Sequence, residues 1–323
     1  MKGGKQTTLR RQAAVSGIGV HSGLPATLTI LPADANTGII FVRLGQGGQP
    51  DREIRANVRA VTATEFATVL GDANGPLCST AEHVLAALCG LGVDNAIIEL
   101  DGPEVPIMDG SAAPFVAAID QAGLVTLSAP RRYLKVLKPV RVATEDAYGE
   151  LRPHSHGFRV EVDIEFDHPL IGLQSLALDV EPETFRRELA RARTFGFMRD
   201  VAKLWNAGYA LGASFENTLV VTESRVLNPE GLRFADEFAR HKALDAIGDL
   251  ALSGAPLLAA YRSIRGGHKL NHAVLSALMA DPSAWKLVEG PEATRTEAPR
   301  RVIRGHADVA TGLVAPAYGP EVS

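Results

Sequence analysis

A stripe of titratable side chains recurs along residues 231–250, GLRFADEFARHKALDAIGDL. At about 100° per residue, the turn angle of an α-helix, His241, Asp245 and Asp249 fall on one narrow face together with Phe234. The other positions from residue 243 to residue 250 are apolar on nearly every side of the predicted helix, which is typical of a buried helix. An unpaired buried charge costs several kcal/mol. We therefore expect these three groups to be paired with one another or bound to a ligand.

A histidine followed four residues later by an aspartate has the spacing of two ligands to one metal ion. The side chains of His241 and Asp245 would project from neighbouring helical turns, with Cβ atoms about 5–6 Å apart. Neutral imidazole and carboxylate both suit zinc, and a catalytic zinc site leaves one position for water. The same spacing also permits a buried His–Asp hydrogen bond without a metal, so both interpretations stay open on residue types alone.

A third ligand has to come from another segment, and residues 79–88, STAEHVLAAL, offer one. His83 lies there beside Glu82 on the first turn of a predicted helix. In zinc hydrolases a carboxylate near the metal accepts a proton from the attacking water. Glu82 also completes a capping box with Ser79, in which the carboxylate reaches back to a backbone amide. One carboxylate cannot fully serve both purposes, so the two roles stay open.

The composition is that of an ordinary globular chain and excludes several classes of protein. The 323 residues are 46% hydrophobic and 22% charged, and 33 basic against 37 acidic residues give a net charge of −4. This balance predicts no nucleic-acid partner. The two cysteines, Cys78 and Cys89, exclude a disulfide scaffold and a thiolate-rich zinc module. No signal peptide or transmembrane segment is apparent, so we expect a cytoplasmic protein.

Patterns of polar and apolar residues predict the elements that must position these groups. Apolar residues at every second position of 158–166 indicate a strand with one buried face. The full set of predicted elements is strands at 26–31, 96–100, 133–142 and 158–166, and helices at 79–90, 110–124, 182–193 and 231–253.

The length of the chain exceeds one ordinary core, so we expect two domains. Proline and charge follow a completed helix at residues 129–132, AP-RR, which favours a linker there. Residues rich in Pro, Glu, Arg and Thr at the C-terminal end are typical of a loosely ordered tail. The expected division is an N-terminal domain (1–129) carrying Glu82 and His83, a C-terminal domain (130–287) carrying His241, Asp245 and His268, and the tail (288–323).

Four longer motifs follow one another along the chain: STAEHVLAAL (79–88), EVPIMDGSAAPF (104–115), RTFGFM (193–198) and HKALDAIGD (241–249). Together they resemble the UDP-3-O-acyl-N-acetylglucosamine deacetylases, zinc amidases of lipid A synthesis. The resemblance covers residues 5–287 in matching order, and several long motifs are far more specific than one short pattern. It implies an α+β fold of two similar domains, each a sheet packed against helices, with the active site at their junction.

The resemblance also implies a role for each polar residue at a matching position. His83, His241 and Asp245 would hold one Zn²⁺ per chain, with Fe²⁺ as the alternative metal. The remaining implied roles are the general base Glu82, a second catalytic histidine His268 in RGGHKLN, its orienting partner Asp249, Thr194 as a donor to the oxyanion, and Lys242 in the substrate pocket.

The implied reaction is hydrolysis of the N-acetyl group of UDP-3-O-[(R)-3-hydroxyacyl]-N-acetylglucosamine, which releases acetate. Zinc would lower the pKa of a water toward about 7 while Glu82 takes its proton. Zinc and Thr194 would stabilise the negative charge that develops on the carbonyl oxygen. The departing amine needs a proton, which either His268, held protonated by Asp249, or Glu82 would supply. The sequence leaves both donors open.

Further positions match the family's contacts with a nucleotide-sugar lipid. Arg265, in a glycine-flanked loop, would meet the diphosphate, although a solvated loop arginine is the ordinary interpretation. The others would border the site or an apolar passage for the acyl chain, although Phe and Met are more often core residues. These positions are Val20, His21, Phe195, Phe197, Met198, Val201, Gly212 and Ser214.

Two other functions are compatible with parts of this pattern. A zinc amidase of another N-acetylated metabolite would keep the metal ligands and change the substrate contacts. A catalytically silent lipid or nucleotide-sugar binding protein would keep the fold, but it would not need a general base such as Glu82. A peptidase is disfavoured because the two metal histidines do not form an HExxH pair on one helix. We expect the protein to be a monomer.

Overall fold

Strands and helices are mixed along the whole part of the chain that the computed structural model describes, residues 4–290. The α+β class predicted from the sequence is therefore confirmed. The strands up to residue 100 are β1 (Lys5–Leu9), β2 (Ala13–Ile18), β3 (Pro25–Pro32), β4 (Ile39–Arg43), β5 (Arg52–Arg55), β6 (Val61–Ala63), β7 (Val69–Asp72), β8 (Gly75–Cys78) and β9 (Ala96–Leu100).

The strands after residue 120 include the longest strand in the described part of the chain, Phe158–Phe166. These strands are β10 (Leu124–Pro130), β11 (Arg132–Val136), β12 (Val140–Ala143), β13 (Tyr148–Pro153), β14 (Phe158–Phe166), β15 (Gly172–Asp179), β16 (Phe195–Phe197), β17 (Leu219–Val221), β18 (Leu257–Ile264) and β19 (Trp285–Glu289). The helices are α1 (Glu82–Leu91), α2 (Ala113–Ala122), α3 (Pro182–Thr184), α4 (Val201–Asn206), α5 (Glu237–Leu250) and α6 (His268–Ala280).

Each of the two larger sheets draws its strands from one part of the chain. A five-stranded sheet has the order β2-β3-β9-β4-β5, and a seven-stranded sheet follows the path β12-β13-β18-β11-β19, with β14 beside β18 and β15 beside β14. Strand β18 pairs with three others, and its residues from Leu257 to Tyr261 are all buried. Such a continuous apolar run is typical of a central strand covered on both faces. The division into two domains at residue 130 stays a prediction.

Several predicted strands coincide with observed ones. The segments 26–31, 96–100 and 158–166 correspond to β3, β9 and β14, and the apolar side chains of β14 alternate with its more exposed ones as the pattern indicates. The prediction of one continuous strand at 133–142 is wrong, because the segment forms two strands. It is interrupted between β11 and β12 at Pro139, which has no backbone N–H to donate to a neighbouring strand.

The predicted helices are present, with different ends. The segment 182–193 forms α3 and a π-helical turn that ends at Leu189. Helix α5 begins at Glu237, six residues later than predicted, so Phe234 precedes the helix instead of belonging to its stripe. The reason is that residues before Glu237 are bonded elsewhere: its carboxylate accepts from the backbone N–H of Arg233 at 2.6 Å, and Arg193 donates to the carbonyl oxygen of Gly231 at 2.6 Å.

The segment predicted as a linker is held by hydrogen bonds on both sides. Strand β10 runs to Pro130 and pairs with β1, β11 begins at Arg132, and the side chain of Arg131 donates to Asp94 at 2.8 Å. The first residues of the predicted tail belong to β19, and the remainder, residues 291–323, lies outside the described residues. Among the residues that the structure describes, no helix is long and apolar enough to cross a membrane.

Helices α1 and α5 cross at a glycine, and this crossing positions the functional groups. A Cβ atom at Gly248 would overlap the backbone carbonyl group of Glu82, so the two helix backbones approach more closely than any other residue would allow. Both helices are buried along almost their entire length, as predicted for residues 241–250. The first turn of α1 therefore lies directly against the last two turns of α5.

We predict that Gly248→Ala lowers the free energy of unfolding by about 1–3 kcal/mol, because the added methyl group must push α1 away from α5. Thermal or urea unfolding of the purified protein measures this change. Gly196→Ala is the matched control, since a Cβ atom there meets open space at an ordinary φ. Equal stability of the Gly248→Ala protein and the wild type would show that the crossing is not close packed.

Candidate metal centre and active site

Three buried side chains converge where α1 meets α5. Their ligand atoms, one each from His83, His241 and Asp245, all lie within 4.8 Å of one another. The Nε2 atoms of His241 and His83 are 3.3 and 3.6 Å from Oδ1 of Asp245. Each of the three residues is no more than 3% exposed. The structure thus brings together the three residues predicted as metal ligands, two from α5 and one from α1.

The carboxylate of Asp245 is only half satisfied by the protein. Its Oδ2 accepts a hydrogen bond from Nζ of Lys242 at 3.2 Å. Its Oδ1 is buried and has no hydrogen-bond partner within the described part of the chain, although both imidazoles face it. A buried acceptor without a donor is costly unless something else binds it. The lack of a well-formed hydrogen bond to Oδ1 among the described residues favours a bound cation over the metal-free His–Asp pair.

The spacing of these atoms fits a cation. Zinc bonds of about 2.0–2.1 Å in tetrahedral geometry place neighbouring ligand atoms about 3.3–3.4 Å apart. The two imidazole-to-carboxylate distances are close to that value. Nδ1 of His241 donates to the carbonyl oxygen of Ala192 at 3.0 Å, which leaves the lone pair of Nε2 directed toward the group. His83, His241 and Asp245 therefore form a candidate metal centre.

Burial prepares two of these ligands for a cation. Burial lowers the pKa of His241 to about 4, so this imidazole is neutral near pH 7 and its Nε2 is free to coordinate. Burial alone would raise the pKa of Asp245, but His241 and Lys242 outweigh it and hold that pKa well below its usual range. A neutral imidazole and an ionised carboxylate are the protonation states that metal binding requires.

Glu82 does not cap helix α1, and the capping-box interpretation is wrong. The residue before the helix is Ala81, and no side chain bonds to the free amides of the first turn. Ser79 instead forms an isolated β-bridge with Glu104. Oε2 of Glu82 accepts a hydrogen bond from the backbone N–H of Thr68 at 3.0 Å. The carboxylate thus lies in the interior beside the metal ligands, where burial raises its pKa.

A second cluster of buried groups lies next to the first. His268 begins helix α6, its Nδ1 lies 2.9 Å from Oδ2 of Asp249, and its Nε2 lies 3.9 Å from Oε1 of Glu82. Burial lowers the pKa of His268, but the carboxylates of Asp249 and Glu82 outweigh it and raise that pKa to about 9. The structure thus brings together Glu82, Asp249 and His268, with the imidazole protonated at neutral pH.

Sequence reasoning missed the side chains that hold this second cluster. The hydroxyl of Thr68 donates to Oδ1 of Asp249 at 2.5 Å, and the amide of Asn271 donates to Oδ2 at 2.8 Å. Tyr261 in turn donates to the amide oxygen of Asn271 at 2.6 Å. Asn271 follows His268 by three residues, a helical spacing that would have revealed it. Thr68 lies in a segment with no recognisable motif, so no local signal identifies it.

A cavity of about 680 Å³ borders both clusters. The polar groups along its wall include Glu82, His83, His241, Asp245 and His268, and the apolar ones include Ile107 and Leu204. Such a volume is typical of a small-molecule site, with a few polar groups converging in a largely apolar pocket. Other predicted site residues that line it are Val20, His21, Thr194, Phe195, Lys242 and Arg265.

Other predicted substrate residues lie outside this lining. Phe197 packs against Phe166 and His168, and Met198 is 47% exposed. The remaining three are Val201, the first residue of α4, Gly212, whose N–H donates to the carbonyl oxygen of Val20, and Ser214, whose N–H donates to Asn217. Their contact with a substrate stays a prediction, as does that of the residues in the lining.

Arg265 has a strong partner within the protein. Its guanidinium donates two hydrogen bonds, at 2.5 and 3.0 Å, to one carboxylate oxygen of Glu165, and its backbone has a left-handed φ of 50°. Lys242 bonds to Asp245 and lies 5.7 Å from the ring centre of Phe195. Arg265 and Lys242 therefore both line the cavity, and each forms an ion pair with a carboxylate of the protein.

A buried carboxylate outside the two clusters fixes another part of the wall. Glu104 is 1% exposed and accepts from the backbone N–H groups of His21 and Ser22 at 2.9 and 2.8 Å, and from the hydroxyl of Thr80 at 2.8 Å. It thereby connects the loop between β2 and β3, residues 19–24, to Thr80, two positions before α1. The sequence placed Glu104 in a motif without giving it a role.

This set of side chains, two imidazoles and a carboxylate beside a second carboxylate and a protonated imidazole, is typical of metal-dependent hydrolases. The chain belongs to the LpxC family, whose model is described as UDP-3-O-acyl N-acetylglycosamine deacetylase and matches residues 6–280. Similar proteins from Brucella ovis, Brucella canis and Brucella melitensis are named UDP-3-O-acyl-N-acetylglucosamine deacetylase. Each is 49% identical over 285 residues, which cover 88% of this chain and 98% of the relative.

We predict that the purified protein contains close to one divalent metal ion per chain and that His241→Ala removes most of it, because one of three ligands is lost. Elemental analysis after gel filtration measures the content. His156→Ala is the control, since that exposed histidine bonds to Ser155 and does not line the cavity. Retention of the full metal content by His241→Ala would mean that the ion binds elsewhere.

Proposed function

We propose that this chain is a zinc-dependent amidase that removes the N-acetyl group of UDP-3-O-[(R)-3-hydroxyacyl]-N-acetylglucosamine and releases acetate, the committed step of lipid A biosynthesis. Membership of the deacetylase family and the names of the relatives support the substrate. The observation that carries the chemistry is the buried Oδ1 of Asp245, which faces two imidazoles and has no hydrogen-bond donor among residues 4–290. Zinc is the first choice of metal and Fe²⁺ the second, because imidazole and carboxylate ligands accept both.

The residues around the candidate metal centre have separate roles in the proposed hydrolysis. A zinc ion held by His83, His241 and Asp245 would supply the Lewis acidity that activates water and polarises the acetamide carbonyl. Glu82, the neighbouring carboxylate, accepts the proton of the attacking water. Its raised pKa brings it closer to neutrality, which suits a group that must accept a proton and then give it up. The hydroxyl of Thr194 donates to the carbonyl oxygen as negative charge develops there.

The departing amine receives its proton from His268 in this proposal. Protonation of this imidazole at neutral pH, supported by Asp249 and Glu82, makes it the better donor of the two that the sequence left open. Its Nε2 faces Glu82 at 3.9 Å, so acid and base border the same space. Asp249 occupies Nδ1 and thereby directs the other ring nitrogen toward the reacting groups.

The cavity suits a substrate with an apolar chain and a charged end. Phe195, Val20 and their apolar neighbours would border the acyl chain, while Arg265 and Lys242 would meet anionic parts of the substrate. Arg265 would have to exchange Glu165 for a phosphate, a partner of the same charge sign. The cytoplasmic location and the monomeric state stay predictions.

Acetate release from the UDP-3-O-acyl-N-acetylglucosamine substrate, with and without a chelator, tests this function. We expect release that the chelator abolishes and added zinc restores. Another N-acetylated sugar serves as the comparison. Preference for that sugar would favour an amidase of a different metabolite, and absence of any release from the metal-loaded protein would favour a binding protein without catalysis.

We predict that Glu82→Gln keeps the metal and lowers kcat by about 10²–10⁴-fold, because the amide has nearly the shape of the carboxylate but accepts no proton. Steady-state kinetics and elemental analysis of the same preparation provide the two measurements. Glu53→Gln, which alters an exposed carboxylate on β5 outside the cavity lining, is the control. Turnover by Glu82→Gln near the wild-type rate would exclude Glu82 as the base.

We predict that kcat falls as the pH rises through about 9, because His268 loses the proton that the leaving amine needs. The sign follows from the role: a donor with a raised pKa is active below that pKa and inactive above it. Asp249→Asn removes the largest contribution that raises the pKa, so the alkaline limit should move to lower pH. A limit that stays unchanged in Asp249→Asn would indicate a different proton donor.

A further inference from the structure

Thr68 lies outside every recognised motif and bonds both to the proposed base, Glu82, and to Asp249, the partner of the proposed acid His268. The backbone N–H of Thr68 donates to Oε2 of Glu82 at 3.0 Å, and its side-chain hydroxyl donates to Oδ1 of Asp249 at 2.5 Å. Its carbonyl oxygen accepts from the N–H of Ala81 at 3.2 Å, immediately before α1. Thr68 is 2% exposed, so none of these bonds competes with solvent.

These bonds determine which carboxylate oxygen is left for chemistry. With Oε2 of Glu82 bonded to Thr68, Oε1 is the oxygen that faces Nε2 of His268. In Asp249, Oδ1 is bonded to Thr68 while Oδ2 receives His268 and Asn271. Each carboxylate thus has one oxygen bonded to Thr68, while its other oxygen faces a nitrogen of His268. Hydrogen bonds to ionised acceptors are the strong ones, particularly in a dry interior.

The two bonds come from atoms of the same residue, and this fixes the distance between their acceptors. Glu82 belongs to α1 and Asp249 to α5, so without Thr68 only the packing of the helices would set their separation. The hydroxyl also lies 3.5 Å from Nδ1 of His268, close enough to limit movement of the imidazole. The segment before β7 thereby contributes to the placement of both the base and the acid.

We propose that Thr68 is a positioning residue of the deacetylation reaction, which holds the Glu82 carboxylate and the Asp249–His268 pair at the separation that proton transfer requires. This inference rests on the proposed function. The hydrogen bonds of Thr68 go to Glu82 and Asp249 and not to the candidate metal ligands, so it acts through these two carboxylates. Its hydroxyl is the part that a side-chain substitution can remove, because the backbone N–H remains in any variant.

Thr68→Val removes the hydroxyl and keeps the shape of the side chain. We expect this variant to retain its metal and to keep KM within about twofold of the wild type while kcat falls by about 10- to 100-fold, the usual effect of losing an orienting partner. Thr68→Ser restores the hydroxyl without the methyl group and should recover most of kcat. A purely structural role would predict that Ser and Val behave alike once both are folded.

Thr8→Val is the matched control. Thr8 is 3% exposed, its hydroxyl accepts a hydrogen bond from the backbone N–H of Ala33, and neither residue lines the cavity. This variant should show a similar change in melting temperature but an unchanged kcat. If Thr68→Val fails to fold, the Ser variant and Thr68→Ala, each measured at a temperature where it is folded, replace it in the comparison.

Coupling to Asp249 gives the decisive measurement. If Thr68 acts through Asp249, then Thr68→Val in an Asp249→Ala background should lower kcat by less than about twofold, because the interaction is already gone. Full additivity of the two losses, or a kcat of Thr68→Val within twofold of the wild type, overturns the inference. Absence of acetate release from the wild type itself would instead overturn the proposed function, so the two failures are distinguishable.

Discussion

The close crossing of α1 and α5 is the constraint on which the rest of the site depends. Gly248 allows the two backbones to approach until a glycine Cα lies against the carbonyl group of Glu82. Side chains from the first turn of α1 and the last turns of α5 therefore share one small volume. Because both helices are buried along almost their entire length, electrostatic interactions within that volume are strong. The polar groups must then satisfy one another or bind an ion.

These polar groups form two clusters, and the buried charges of the two clusters are compensated in different ways. In the cluster of Asp249, His268 and Glu82, protein donors occupy both oxygens of Asp249, and the imidazole is stabilised in its charged form. In the cluster of His83, His241 and Asp245, one carboxylate oxygen has no donor within the part of the chain that the structure describes, and burial stabilises the neutral form of His241. The first arrangement stores a proton, and the second accepts a cation. Two aspartates one helical turn apart thus differ through their neighbours alone.

Local sequence patterns predicted the elements and the titratable groups, since both depend on spacing. The stripe of His241, Asp245 and Asp249 follows from helical periodicity, and the buried face of β14 follows from alternation. The roles of these groups came instead from the family resemblance. Local patterns did not decide whether Glu82 caps α1, because that depends on whether Thr68, fourteen residues away, offers a better donor. The start of α5 was missed for a similar reason, since Arg193 draws residues before Glu237 into a separate network.

That network shows how a stability interaction also serves the site. Arg193 and Glu237 are 1% and 0% exposed and bond to each other at 2.9 Å, an ion pair whose burial is costly unless every donor finds an acceptor. The additional bonds to Glu230 and Gly231 meet that requirement. The same pair fixes the chain on either side of Arg193, where Ala192 holds Nδ1 of His241 and Thr194 lines the cavity. Removing one partner would leave an uncompensated charge in the interior and would also release the carbonyl group that orients a metal ligand. The buried pair is therefore better explained by the placement of its neighbours than by its own contribution to stability.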